Sequence, residues 1–155
     1  MKARLDNTDW KILRELQQDG RMTNVELARR VGISAPPCLR RVRALEETGI
    51  ILNYRTLVDE KQLGYDVTAF AMVGLHSQSE SDLVAFQNLA EGWEAVREAH
   101  MLSGEVDFLL KCVSADLQSF QTFVIDELTA APNVASVRTA LTIRRTKDEP
   151  IVPIK

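Results

Sequence analysis

A chain of 155 residues with 45% apolar and 26% charged side chains can bury a core, as one ordinary domain or two small ones, and disorder is not the default reading. No apolar run approaches the ~18 residues of a membrane span, and the charged start MKARLDNTDWK argues against a secretory leader. The net charge of −3 speaks against a polyanion partner for the whole chain, but residues 1–60 carry 11 Lys and Arg against 9 Asp and Glu, while residues 61–155 carry 8 against 13, so only the first part could profit from one.

Three short helices are expected in the first sixty residues. Asp6 is placed to cap the first, Leu5, Ile12, Leu13 and Leu16 form its apolar stripe, and Gly20 ends it. TNVE at Thr23–Glu26 has capping-box spacing and opens the second, whose buried face is Leu27, Ala28 and Val31. Gly32 follows where a left-handed residue stops a helix, and Ser34 is the next N-cap. Two helices joined by so short a turn match the helix-turn-helix pattern, although helical hairpins of this length are common in all-α proteins.

The third helix opens with Ala35, Pro36 and Pro37 at its first three positions, where backbone N–H groups have no acceptor within the helix. The prolines therefore start this helix rather than break it. At 100° per residue, Ala35, Cys38, Val42, Leu45 and Gly49 gather on one face. Pro36, Pro37, Arg40, Arg43 and Ala44 gather on the other, flanked by Arg41. These arginines are either a solvated face paired with Glu46 and Glu47, Arg43 with Glu47 above all, or a surface that meets a major groove. The β-branched stretch IILNYRTLVD after Gly49 is expected to be a strand that closes this domain, a candidate wing.

A polar joint follows, and then an alternating pattern. Strands are expected at Val67–Leu75, Val96–Leu102, Asp107–Val113 and Val134–Arg145, and helices at Ser81–Trp93 and from the cap Asp116 to near Pro132. The order β-α-β-β-α-β is the ferredoxin-like split unit, with two helices on one face of an antiparallel sheet. Phe70, Met72, Met101, Leu109, Leu110, Leu141 and Ile143 are too many to lie under two helices, so the second face is expected to pair two copies of the chain. A two-fold dimer would also double the helix-turn-helix.

No phosphate-binding loop, metalloprotease or nucleophile-elbow motif occurs. Cys38 and Cys112 are expected to be separate, reduced thiols, and His76 and His100 lack partners at ligand spacing, so no metal and no cofactor is expected. Glu105 and Asp107 are close carboxylates, but nothing beside them supplies a nucleophile or an oxyanion donor, and catalysis is not expected. The turn LSGEVDF has two readings. Either it is a soluble hairpin turn, or Ser103–Gly104 offers backbone N–H groups to a carboxylate while Asp107 takes the ammonium of one small zwitterion.

LDNTDWKILRELQQDGRMTNVELARRVGIS, PPCLRRVRALEETGII and HMLSGEVDFLLK, in this order, resemble the leucine-responsive/asparagine-operon (Lrp/AsnC) family of regulators from about Leu5 to about Lys147. The resemblance implies an α+β chain: a winged helix-turn-helix domain at 1–60, a linker at 61–66 and a ferredoxin-like effector-binding and oligomerisation domain at 67–155. It implies binding to double-stranded promoter DNA through Thr23, Asn24, Ser34, Pro36, Pro37, Arg40, Arg41 and Arg43. It further implies a small effector, usually an amino acid, at Met101, Ser103, Gly104, Glu105, Val106, Asp107, Leu117, Leu141 and Thr142. Homodimers assembling to tetramers or octamers, and a cytoplasmic, nucleoid-associated location without membrane contact, complete the expectation. The rival readings are an effector-independent DNA-organising protein and a ligand-binding or enzymatic module of amino-acid metabolism.

Overall fold

The computed structural model describes residues 5–154, which form two compact units. The described residues up to Leu57, joined by those from Asp148 on, make the first; Val58–Lys147 make the second.

The first unit holds α1 (Asn7–Gln18), α2 (Asn24–Val31) and α3 (Ala35–Glu47). Ile12, Leu13, Leu27, Ala28, Val31, Cys38 and Leu45 form its core. The Asp6 carboxylate caps α1, and the Asp9 side chain returns the bond to the Asp6 N–H. Gly32 stops α2 at φ 80°, a left-handed value that a Cβ would strain.

Four local expectations need correcting. α1 ends at Gln18 with Asp19 as its cap, two residues short of Gly20, because the Asp19 carboxylate turns the chain by accepting the Arg21 N–H. Thr23 does cap α2, but Glu26 does not reach back to it. Glu26 binds the guanidinium groups of Arg29 and Arg30 instead, since charge-assisted bonds outcompete a neutral N–H. Residues 50–59 run as irregular chain, not strand: a strand needs a neighbour to complete its ladder, and no strand lies among the described residues of this unit. The final residues, expected to belong to the second domain, pack in the first. Ile154 joins its core, and the Gln17 amide reaches both the N–H and the C=O of Val152 at 2.9 Å.

In the second unit β1 (Val67–Leu75), β2 (Val96–Met101), β3 (Phe108–Ser114) and β4 (Val134–Leu141) form one antiparallel sheet in the order β2-β3-β1-β4. Helix α4 (Glu80–Gly92) and α5 (Leu117–Thr122), continued by a wider π-type turn over Phe123–Leu128, supply the helical layer. The core contains Ala69, Ala71 and Val73 of β1, Phe108, Leu110 and Cys112 of β3, and Phe86, Phe120, Phe123 and Leu128 from the helical side. Phe86 stacks obliquely on Phe108 at 4.6 Å and meets Trp93 edge-on at 5.7 Å.

The alternation along β1 and β3 leaves Phe70, Met72, Leu109 and Val113 half-exposed on the other face. The salt bridge between Lys111 and Glu98 lies on that side too, since cross-strand partners share a face. Leu110, expected among the uncovered residues, is fully buried under the helices. By register Met101 and Leu141 also point to the helix side, and Ile143 lies beyond β4. The uncovered apolar patch is therefore smaller than the sequence suggests.

Candidate nucleic-acid interface and effector site

α3 begins as the proline positions dictate. Ser34 is extended at the N-cap, and the first i→i−4 bond runs from the Cys38 N–H to the Ser34 carbonyl at 3.2 Å. The Ser34 hydroxyl makes no capping bond. A cap serine accepts from the second or third helical N–H, and here both positions are proline. Its hydroxyl is thus left for a group outside the helix.

The three arginines of α3 divide. Arg41 places one Nη at 2.8 Å from Asp6 and 2.7 Å from Asp9, both on the start of α1. The two carboxylates hold its guanidinium above its usual pKa, Asp9 foremost. Arg40 and Arg43 are exposed, and the Arg43–Glu47 pair that a solvated face would offer is not formed. Asn24, half-buried at the start of α2, donates its amide to the Ala35 carbonyl at 2.8 Å and so ties α2 to the start of α3, with its Oδ1 buried and unpaired. Thr23 is exposed and accepts the Glu26 N–H at 3.2 Å. The surface formed by Thr23, Ser34, Pro36, Arg40 and Arg43 carries hydroxyl donors and two cations, the groups that bind phosphate oxygens and guanine edges. Asp6 and Asp9 are the residues that sequence reasoning missed here. Their capping role was legible, but their partner lies more than thirty residues away.

The residues expected to hold an effector fall into two groups. Met101 and the turn Ser103–Asp107 sit at one end of the sheet, where the Asp107 N–H donates to the Val73 carbonyl at 2.9 Å. The Asp107 side chain is buried, and its carboxylate accepts the Leu75 N–H at 2.7 Å. It anchors the turn. Gly104, at φ 154°, carries the sharp bend, with Ser103 and Glu105 exposed beside it. Leu117, Leu141 and Thr142 lie at the opposite end, where the Thr142 N–H donates to the Thr68 carbonyl at 2.8 Å. Val73 and Thr68 are five residues apart on β1, roughly 16 Å of strand. One chain does not bring the two groups together. The Thr142 hydroxyl is buried without a hydrogen-bond partner.

Among the described residues no His, Cys, Asp and Glu gather into a metal site, and no helix is long and apolar enough to cross a membrane. Cys38 and Cys112 are both buried free thiols, and burial pushes the Cys112 thiol up to about 11.

The sequence matches a winged helix-turn-helix DNA-binding family over residues 5–51 and the Lrp/AsnC ligand binding domain over residues 68–152. It is 63% identical to a leucine-responsive regulatory protein of Rhizobium meliloti, over 96% of this chain and 95% of that one. It is 37% identical to the transcriptional regulator AzlB of Bacillus subtilis, over 99% and 98%. Among solved structures, a transcriptional regulator of Neisseria meningitidis in complex with L-Met superposes with a TM-score of 0.92 at 34% identity, covering 97% of each chain. In both of its domains, and over nearly its whole length, this chain belongs to the Lrp/AsnC family of transcriptional regulators.

Proposed function

We propose that this protein regulates transcription by binding double-stranded promoter DNA, and that a small amino acid adjusts its hold. The observation that carries the DNA reading is the outer surface of α3, where Arg40 and Arg43 stand exposed beside an uncapped Ser34. Arg40, nearest the start of the helix, reads bases. Arg43, Thr23 and Ser34 grip phosphate, and Pro36 and Pro37 fix where the helix begins. The chain works in the cytoplasm, on the nucleoid, and needs no cofactor.

The amino-acid reading draws on the L-Met complex of the Neisseria meningitidis regulator. The turn Ser103–Val106 supplies backbone N–H groups and the Glu105 carboxylate. Because Leu117, Leu141 and Thr142 lie roughly 16 Å along the sheet from that turn, a second copy of the chain contributes them. Two copies pair through the half-exposed face of Phe70, Met72, Leu109 and Val113, and the dimers assemble to a tetramer or octamer.

Two measurements test this. Duplexes enriched from a random pool should bind with an affinity that falls steeply with salt. In a thermal-shift series against the twenty amino acids, a true effector at ~100 times its Kd should add about 2.7 kcal/mol of stability. Salt-sensitive DNA binding with silence across the whole series would favour an effector-independent DNA-organising protein.

A further inference from the structure

We propose that Arg41, although it stands among the arginines of the recognition helix, is a positioning residue that locks α3 to the cap of α1 and touches no DNA. This rests on the DNA-binding reading above.

The geometry is specific. Asp6 and Asp9 each divide their two oxygens. Asp6 gives Oδ1 to the N–H groups of Thr8 and Asp9, and Oδ2 to Arg41. Asp9 gives Oδ2 to the Asp6 N–H and Oδ1 to Arg41. The reciprocal cap that starts α1 is thus also the socket for a side chain from the middle of α3. Both carboxylates meet the same nitrogen, so α3 cannot roll about its axis without breaking two charge-assisted bonds at once. Arg40 and Arg43, on either side in sequence, have no such tie and remain exposed. The cap bonds and Arg41 together lower the Asp6 pKa, which favours its ionised form.

Both N–H bonds of Arg41 Nη1 are taken, and the two carboxylates within 2.8 Å repel a phosphate that approaches the rest of the guanidinium. The lock instead fixes the angle at which Arg40 and Arg43 are presented. A plain electrostatic view and this one predict opposite signs for Asp9→Asn. Removing a negative charge beside a DNA-binding surface should strengthen binding, whereas loosening the socket should weaken it.

The test uses the full chain and a duplex enriched from a random pool by the wild-type protein. Affinity is measured for wild type, Asp9→Asn, Arg41→Gln and the double variant over a salt series, with circular dichroism confirming each fold. Both single variants should bind at least ~5-fold more weakly with the salt slope of the wild type, since neither gives up a phosphate. The double variant should be no weaker than the worse single one, because both changes break the same link. Arg43→Gln is the reference, and its slope should become shallower by about 0.9 for each phosphate it no longer neutralises. The proposal is overturned if Asp9→Asn strengthens binding or leaves it unchanged, or if Arg41→Gln flattens the slope as Arg43→Gln does. Wild-type protein that binds no duplex in a salt-dependent way would instead overturn the DNA-binding reading itself.

Discussion

The Asp107 carboxylate holds the backbone N–H of Leu75 at 2.7 Å, which pins the β2–β3 turn to the end of β1. Both groups are buried, so removal of the carboxylate strands a donor in the core. Asp107→Ala should cost about 1–3 kcal/mol, and Asp107→Asn less, because an amide oxygen still accepts. Denaturant unfolding of the two variants checks the order. If Asp107→Ala costs no more than a surface substitution, the anchor is not as described.

Ser34 makes the next prediction, because the two prolines after it deprive it of donors. Ser34→Ala should change stability by less than about 0.5 kcal/mol, although loss of an ordinary cap costs ~1 kcal/mol. In a Pro37→Ala background the third helical N–H returns, and Ser34→Ala should then cost ~1 kcal/mol. A double-mutant cycle by chemical unfolding gives the coupling directly. Equal costs in both backgrounds would show that the prolines do not control the hydroxyl.

The C-terminal tail supplies a third. Ile154 packs on the core of the first unit and Gln17 holds Val152. A stop after Lys147 should destabilise that unit by about 1–2 kcal/mol, roughly the value of one partly buried isoleucine, and leave the second unit unaffected. Hydrogen exchange resolves the two units. Faster exchange confined to Val58–Lys147 would contradict the packing.

The fourth concerns pH. The guanidinium groups of Arg29 and Arg30 pull the Glu26 carboxyl from 4.5 down to about 2. A depressed carboxyl contributes stability above its unfolded pKa and loses it as pH falls through the folded value. Wild type should therefore melt higher than Glu26→Gln at neutral pH, and the gap should close between pH 4.5 and about 2. The Glu26 side chain is 34% exposed, and solvent screening keeps the gap small. A gap that is constant down to pH 2 would refute the pairing.

How much of this was legible in the sequence follows from the range of each interaction. Asp6, Gly32 and Asp116 mark element ends through bonds to residues three or four away, and sequence reasoning placed them correctly. β1 is legible to its bounds because a mostly apolar run, interrupted only by the β-branched Thr68 and by Gly74, lies between the polar flanks Asp66 and His76. The bonds of Arg41 to Asp6 and Asp9, and of Asp107 to Leu75, span 32 to 35 residues, and no local pattern announces them. Residues 50–59 have strand composition without a partner, and composition cannot reveal that lack. The uncapped Ser34 was legible in principle, since two prolines have no N–H to give.

Binding of an enriched DNA duplex by wild type and Arg40→Ala, at moderate salt and then over a salt series, tests the central claim most directly. Arg40→Ala should lose about 1–3 kcal/mol of discrimination between the best duplex and one altered at a single base pair. Affinity and discrimination equal to wild type would contradict the assignment of the α3 surface as the face that reads DNA.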